Sequence, residues 1–169
     1  METDYAIRAV AEHARSSTFL TADGVIPGNE GRGYVLRRVI RRAIRLGRKI
    51  GMTDPFMSEL AETVISKMSE TYPELSNNRN FILSVLELEE ERFQRAFDNG
   101  YSMLQSSMAN VNKISGDLAF QLWDTHGFPV EITKEIAAER GVEVDMEEFE
   151  SEMESQRTRA RSNSQFDDS

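Results

Sequence analysis

GNEGRGYVLRRVIRRAIRLGRKIG, residues 28–51, decides how this chain is read. Between Gly31 and Thr53 stand eight basic residues and no acidic one, in a protein of 169 residues whose formal net charge is −9. At about 100° per residue, Leu36, Val39, Ile40, Ala43, Ile44, Leu46 and Ile50 share one half of a helix. Arg37, Arg38, Arg41, Arg42, Arg45, Arg48 and Lys49 gather on the other half, with Tyr34 among them. The spacing predicts a basic helix over 30–51 with one face for burial and one cationic face. Guanidinium forks match phosphate oxygens, so such a stripe suits a phosphate backbone. Solvated helix faces more often mix signs, which gains i,i+4 pairs and avoids repulsion. Like charges this dense call for a counter-charge, either acidic neighbours within the fold or an external polyanion.

Outward from this segment nearly everything reads as helix. A first helix, capped by Thr3 or Asp4, carries Ile7, Val10, Ala11 and Ala14 at its apolar positions. Residues 21–33 hold four glycines and one proline, a structured loop that brings Asn29 or Glu30 to the start of the basic helix. A third helix opens at Asp54-Pro55, an N-cap followed by proline at the first helical position, and ends near Tyr72.

Residues 78–110 read as one long helix through Ile82, Leu86, Phe93, Phe97, Leu104 and Met108. Glu89, Glu90, Glu91 and Arg92 interrupt its apolar spacing, and Gly100 is its weakest point. Ser115 caps a short helix that Gly127 ends in a left-handed turn, with Pro129 preventing continuation. A further helix stops at Gly141, and Asp145 with Glu148 forms a weak capping box. The expected fold is all-α, a helical bundle of two sub-bundles joined by the long helix. The expected divisions are a subdomain over 1–110, a second over 111–160, and a linker or frayed tail over 161–169.

The chain has no cysteine, which excludes disulfides and thiolate metal sites, and His13 and His126 lie far apart in sequence. No apolar stretch approaches the ~18 residues of a membrane span. METDYAIRAV lacks the basic-then-apolar plan of a signal peptide, so a cytoplasmic protein is expected.

Two segments carry a resemblance. FLTADGVIPGNEGRGYVLRRVIRRA, residues 19–43, strongly resembles the segment that follows the aminoacylation core in alanyl-tRNA synthetases. AFQLWDTHGFPVEIT, residues 119–133, is similar to the same family's second motif, at a similar separation and in the same order. Trp123 departs from it, standing where the family more often has Tyr or Phe before the aspartate. The resemblance covers roughly residues 4 to 160.

It implies a helical tRNA-recognition domain, part of an ATP-dependent class II aminoacyl-tRNA synthetase that attaches alanine. The catalytic core, with ATP and Mg2+, is expected before residue 1, and the zinc-bearing editing domain elsewhere in the parent protein. This chain is therefore expected to hold no cofactor, metal or catalytic residue and to be inactive alone. Its implied partners are the tRNA(Ala) acceptor stem and the catalytic and editing domains of the same parent chain, with no membrane.

The resemblance also implies that the stem is marked by a G·U wobble pair. The wobble leaves the guanine 2-amino group unpaired in a wide, shallow minor groove that side chains can reach. A carboxylate is an apt acceptor for that amine, and an amide can bridge the two bases. Carried over residue by residue, the resemblance assigns Asp124 to the guanine amino group and Asn29 to the bridge. Arg32, Tyr34, Arg37 and Arg41 are expected on the RNA backbone. Read without the family, Asn29 is better taken as an N-cap of the basic helix, and Asp124 as an acceptor for nearby backbone at a helix end. Trp123 and Phe128 read as core, His126 as part of a turn, and His13 as a surface helix residue. Two other readings of the basic stripe compete, a helical module for an acidic protein partner and a non-specific binder of duplex RNA.

Overall fold

The computed structural model describes residues 2–109 and 111–164, with side chains for 3–109 and 111–159. The fold is all-α, with eight helices and one minimal strand pair among the described residues. The order is α1 (Glu2–Ala22), α2 (Gly31–Lys49), α3 (Met57–Met68), α4 (Pro73–Asn77), α5 (Arg79–Ser107), β1 (Lys113–Ile114), α6 (Gly116–His126), α7 (Val130–Ala138), β2 (Glu143–Val144) and α8 (Met146–Ser164). Of the tail expected over 161–169, helix continues to Ser164 and residues 165–169 lie outside the described residues. Packing separates the chain into two units, residues 1–94 and 95–169, and the division falls inside α5.

In the first unit α1 packs on α2, α3 and α4. The buried stripe of α1 is Ala6, Val10, Ala14, Ser17, Thr18 and Thr21, spaced by three and four. Ile7, expected inside, is 52% exposed, and Ala11 is exposed as well. Small and hydroxylated residues let α2 approach closely, and hydrophobicity alone finds Val10 and Ala14 but misassigns Ile7 and Ala11. Thr18 Oγ1 donates to the Ala14 carbonyl at 2.8 Å, which satisfies one of the buried hydroxyls. His13, expected on the surface, is half-buried; burial and then the Arg42 charge hold its pKa below the usual range.

α3 starts later than Asp54-Pro55 predicts, with Phe56 at its N-cap and no local side-chain cap. Its free N–H groups are met from α5. Glu90, buried, accepts from the Met57 N–H at 2.9 Å and from Phe56 at 3.1 and 3.2 Å. A carboxylate suits the positive end of a helix dipole. Far from interrupting the apolar spacing of α5, Glu89 and Glu90 lie on its buried stripe with Ile82, Leu86 and Phe93.

In the second unit α6 packs on α7 and α8, and α7 on β2. β1 and β2 pair in parallel, Lys113 with Glu143 and Ile114 with Val144. Ala119, Val130 and Phe149 form a core with Phe120, Trp123, Val144, Met146 and Met153 packed against it. Phe128 is fully buried and stacks on Phe97 at 5.4 Å. Gly100 is not a break in α5. A Cβ there would stand 2.9 Å from the Phe128 ring, so the glycine makes room for that aromatic.

The expected caps of α6 and α8 form, with one difference. Ser115 Oγ accepts from the Leu118 N–H at 3.3 Å, Gly127 closes α6 at φ 61°, and Asp145 Oδ1 accepts from the Glu148 N–H at 3.2 Å. The Glu148 carboxylate does not return to its own helix start. It accepts from the Gly116 N–H at 2.6 Å, capping α6 from α8.

Candidate nucleic-acid interface

Two surfaces carry the residues singled out in the sequence, one in each unit. In the first, the loop before α2 is pressed onto that helix's opening turn. A Cβ on Gly33 would lie 2.5 Å from the Ile26 carbonyl oxygen and 3.0 Å from the Gly28 nitrogen, so only glycine permits this backbone contact. Glu30 occupies the N-cap without a side-chain cap bond. Asn29 is thus not the cap: it stands one residue earlier, exposed, and its Oδ1 accepts from Arg37 Nη1. Arg37 Nη2 also reaches the Pro27 carbonyl at 3.5 Å.

The clean two-faced helix expected for α2 does not form. Leu36, Ile40, Ala43, Ile44 and Leu46 are buried as expected, but so are Arg41 and Arg45. Arg41, 4% exposed, places Nη2 2.6 Å and Nε 2.7 Å from Glu89 Oε1, and its guanidinium lies 5.1 Å from the centre of the Phe93 ring. Burial lowers the Arg41 pKa from its ordinary value, and Glu89 partly offsets that. Arg37 shares the same carboxylate, its Nε 3.3 Å from Glu89 Oε1. Part of the counter-charge that the arginine run demands is therefore internal and comes from α5. Arg32 is exposed and Tyr34 half-buried on the first turn of α2.

In the second unit Asp124 is exposed near the end of α6, and its Oδ1 accepts from Gln156 Nε2 at 2.8 Å. The Glu148–Gly116 and Gln156–Asp124 bonds both join residues 32 apart, so α6 and α8 run in parallel and are tied at both ends of α6. That is what orients the Asp124 carboxylate. One oxygen is engaged, and a carboxylate keeps capacity for further donors. Asp124 does not accept from neighbouring backbone. His126 is half-buried beside Gly100, its Cβ 3.3 Å from where a Cβ on that glycine would lie.

Sequence reading gave Glu89, Glu90 and Glu148 other roles and passed over Gln156. A signal for the first two was present, because acidic residues in phase with an apolar stripe opposite an arginine-rich helix suggest buried pairing. Nothing local marked Glu148 as the cap of another helix, or Gln156 as a partner of Asp124. Among the described residues no three His, Asp or Glu side chains converge on a metal-sized site, and no helix is long and apolar enough to cross a membrane.

Comparison with known proteins agrees with the two motifs. The chain is 51% identical over 166 residues to an alanine–tRNA ligase of Dehalococcoides mccartyi, covering 97% of this chain and 19% of that protein. It is 50% identical over 162 residues to the alanine–tRNA ligase of Hydrogenovibrio crunogenus, covering 95% and 19%. It is 46% identical over 166 residues to that of Fusobacterium nucleatum, again covering 95% and 19%. The chain thus spans about one fifth of the length of these curated relatives. With all of residues 1–169 matching the family described as tRNA synthetases class II (A), the chain belongs to that family.

Proposed function

We propose that this chain is the tRNA-recognition part of an alanine–tRNA ligase, that it binds the acceptor stem of tRNA(Ala), and that it reads the G·U wobble pair in the minor groove. The observation that carries this reading is the state of Asn29 and Asp124. Each is exposed, yet each has one oxygen held by a side chain rather than by its own helix cap. Exposed polar groups held in one orientation suit discrimination between base edges, whereas phosphate contacts set register. Asp124 accepts from the guanine amino group, and Asn29 bridges the wobble pair.

Arg32 and Tyr34 meet the RNA backbone beside Asn29. Arg37 adds charge at that edge while holding the asparagine. Arg41 contributes through Glu89 rather than by touching phosphate. ATP-dependent alanine activation, with its Mg2+, belongs to the rest of the parent protein, whose catalytic and editing domains are this chain's intramolecular partners in the cytoplasm. The alternative of an acidic protein partner needs no base discrimination, which separates it from this reading.

The test is binding to two acceptor-stem duplexes that differ only in G·U versus G·C. Asp124→Asn replaces an acceptor with a donor, and the preference for G·U should fall by about 1–3 kcal/mol, the usual scale of one base contact. A lowered melting temperature with an intact preference would make Asp124 a structural residue only.

A further inference from the structure

We propose that Glu89 is a positioning residue for base reading: acting through Arg37, it sets which end of the Asn29 amide faces outward. The proposal rests on the reading of Asn29 given above and sharpens it. Glu89 is 2% exposed, and its Oε1 is gripped on the inner side by Arg41 Nε and Nη2. On the outer side the same oxygen faces Arg37 Nε at 3.3 Å. That contact is an ion pair without hydrogen-bond geometry; because a guanidinium is planar and its donors form a fixed fork, drawing its Nε edge to the carboxylate leaves the two Nη groups for the loop. Those groups go to Asn29 Oδ1 and to the Pro27 carbonyl.

The consequence is chemical. With its oxygen turned to a cation, the Asn29 side chain presents Nδ2 and its two N–H donors outward. The flipped amide would set N–H against N–H, so the guanidinium selects one orientation. Asn29 then presents a donor to a groove, matching a pyrimidine O2 or purine N3. The end of the Asn29 amide that is presented is thus set from within α5.

The experiment uses this chain and four variants: Asn29→Ala, Asn29→Asp, Arg37→Lys and Glu89→Gln. The first readout is the Asn29 side-chain amide by nitrogen-15 relaxation, which needs no RNA. The amide should be as ordered as backbone in the parent chain and lose that order in Arg37→Lys and Glu89→Gln. Arg37→Lys keeps the charge at a side chain that is 16% exposed, against 2% for Glu89, so it answers the question if Glu89→Gln fails to fold. The second readout is the G·U to G·C affinity ratio on the two duplexes. Asn29→Asp keeps shape and the Arg37 contact but loses the donor, so its ratio should fall to that of Asn29→Ala. Arg37→Lys and Glu89→Gln should fall towards the same value.

If Asn29→Ala leaves the ratio unchanged, the reading of Asn29 itself is wrong. If Asn29→Ala lowers the ratio while Arg37→Lys and every folded Glu89 variant keep both ratio and amide order, Glu89 does not position it. If Asn29→Asp keeps the ratio, the amide does not act as a donor. Either of these last two results overturns the proposal.

Discussion

Arg41 Nη2 lies 2.6 Å from Glu89 Oε1, and both side chains are almost closed to solvent. A charge run on an amphipathic helix therefore hides an ion pair with a residue 48 positions away. A buried pair of this kind is a poor source of net stability, since desolvation offsets much of the attraction. Its value is geometric, because it leaves the shared carboxylate oxygen in a fixed place for Arg37.

Removing only one partner should therefore be costly. Arg41→Ala leaves Glu89 buried without its main counter-charge and is expected to lose about 3–5 kcal/mol in denaturant unfolding. Arg41→Met combined with Glu89→Leu should recover most of that stability, because no uncompensated charge remains. A small loss in Arg41→Ala would mean that Glu89 finds water or another cation.

Salt dependence should sort the arginines by exposure. Affinity for an acceptor-stem RNA should fall with salt by about 0.7–0.9 log units per log unit for each phosphate neutralised. Arg32→Ala should flatten the slope by about one phosphate and weaken G·U and G·C stems alike. A folded Arg41→Met, Glu89→Leu pair should leave the contribution of Arg32 in place. An unchanged slope in Arg32→Ala would take that residue off the RNA surface.

Gly33→Ala tests whether the loop before α2 is pressed on the helix. Alanine favours helix by about 1 kcal/mol over glycine, so an open site would be stabilised. Here the new Cβ would lie 2.5 Å from a backbone oxygen, and the opposite sign is expected, a loss of about 1–3 kcal/mol. The Asn29 amide resonances should shift at the same time. A rise in melting temperature would show that the contact is not made.

Glu90 should leave a mark on the pH dependence of stability. Burial raises its pKa above the ordinary value, more than the Phe56 and Met57 N–H groups and Arg48 lower it. A raised folded pKa means that the folded state binds more protons between the unfolded and folded values. The Glu90 contribution is thus fully present below the unfolded value, near pH 4.5, and is lost as pH rises through the raised one. The stability of the parent chain relative to Glu90→Gln should grow as pH falls through that window. A difference that is flat with pH would mean Glu90 is solvated.

Much of the helical plan was legible because its signals are local. Periodicity marked α2 and α5, Ser115 and Asp145 announced the starts of α6 and α8, and Gly127 announced the end of α6. The face of α1 was legible at Val10 and Ala14 but not at Ile7 and Ala11, because most of its contact surface is Ala, Ser and Thr, which carry little hydrophobic signal. The start of α3 was misplaced because its cap, Glu90, comes from another helix. Of the candidate site, the sequence could name Asn29, Asp124 and the arginines, but not what holds them.

By itself, then, the sequence determined what depends on neighbours along the chain: helix type, local caps, charge excess and two family motifs. The tertiary structure decided which arginines are buried, which carboxylates cap helices other than their own, and how Asn29 and Asp124 are held. The physical reason is that burying a charge is unfavourable without a partner. Buried Arg41 has its partner Glu89 48 residues away, exposed Asp124 meets Gln156 32 residues away, and only folding brings either pair within hydrogen-bond reach.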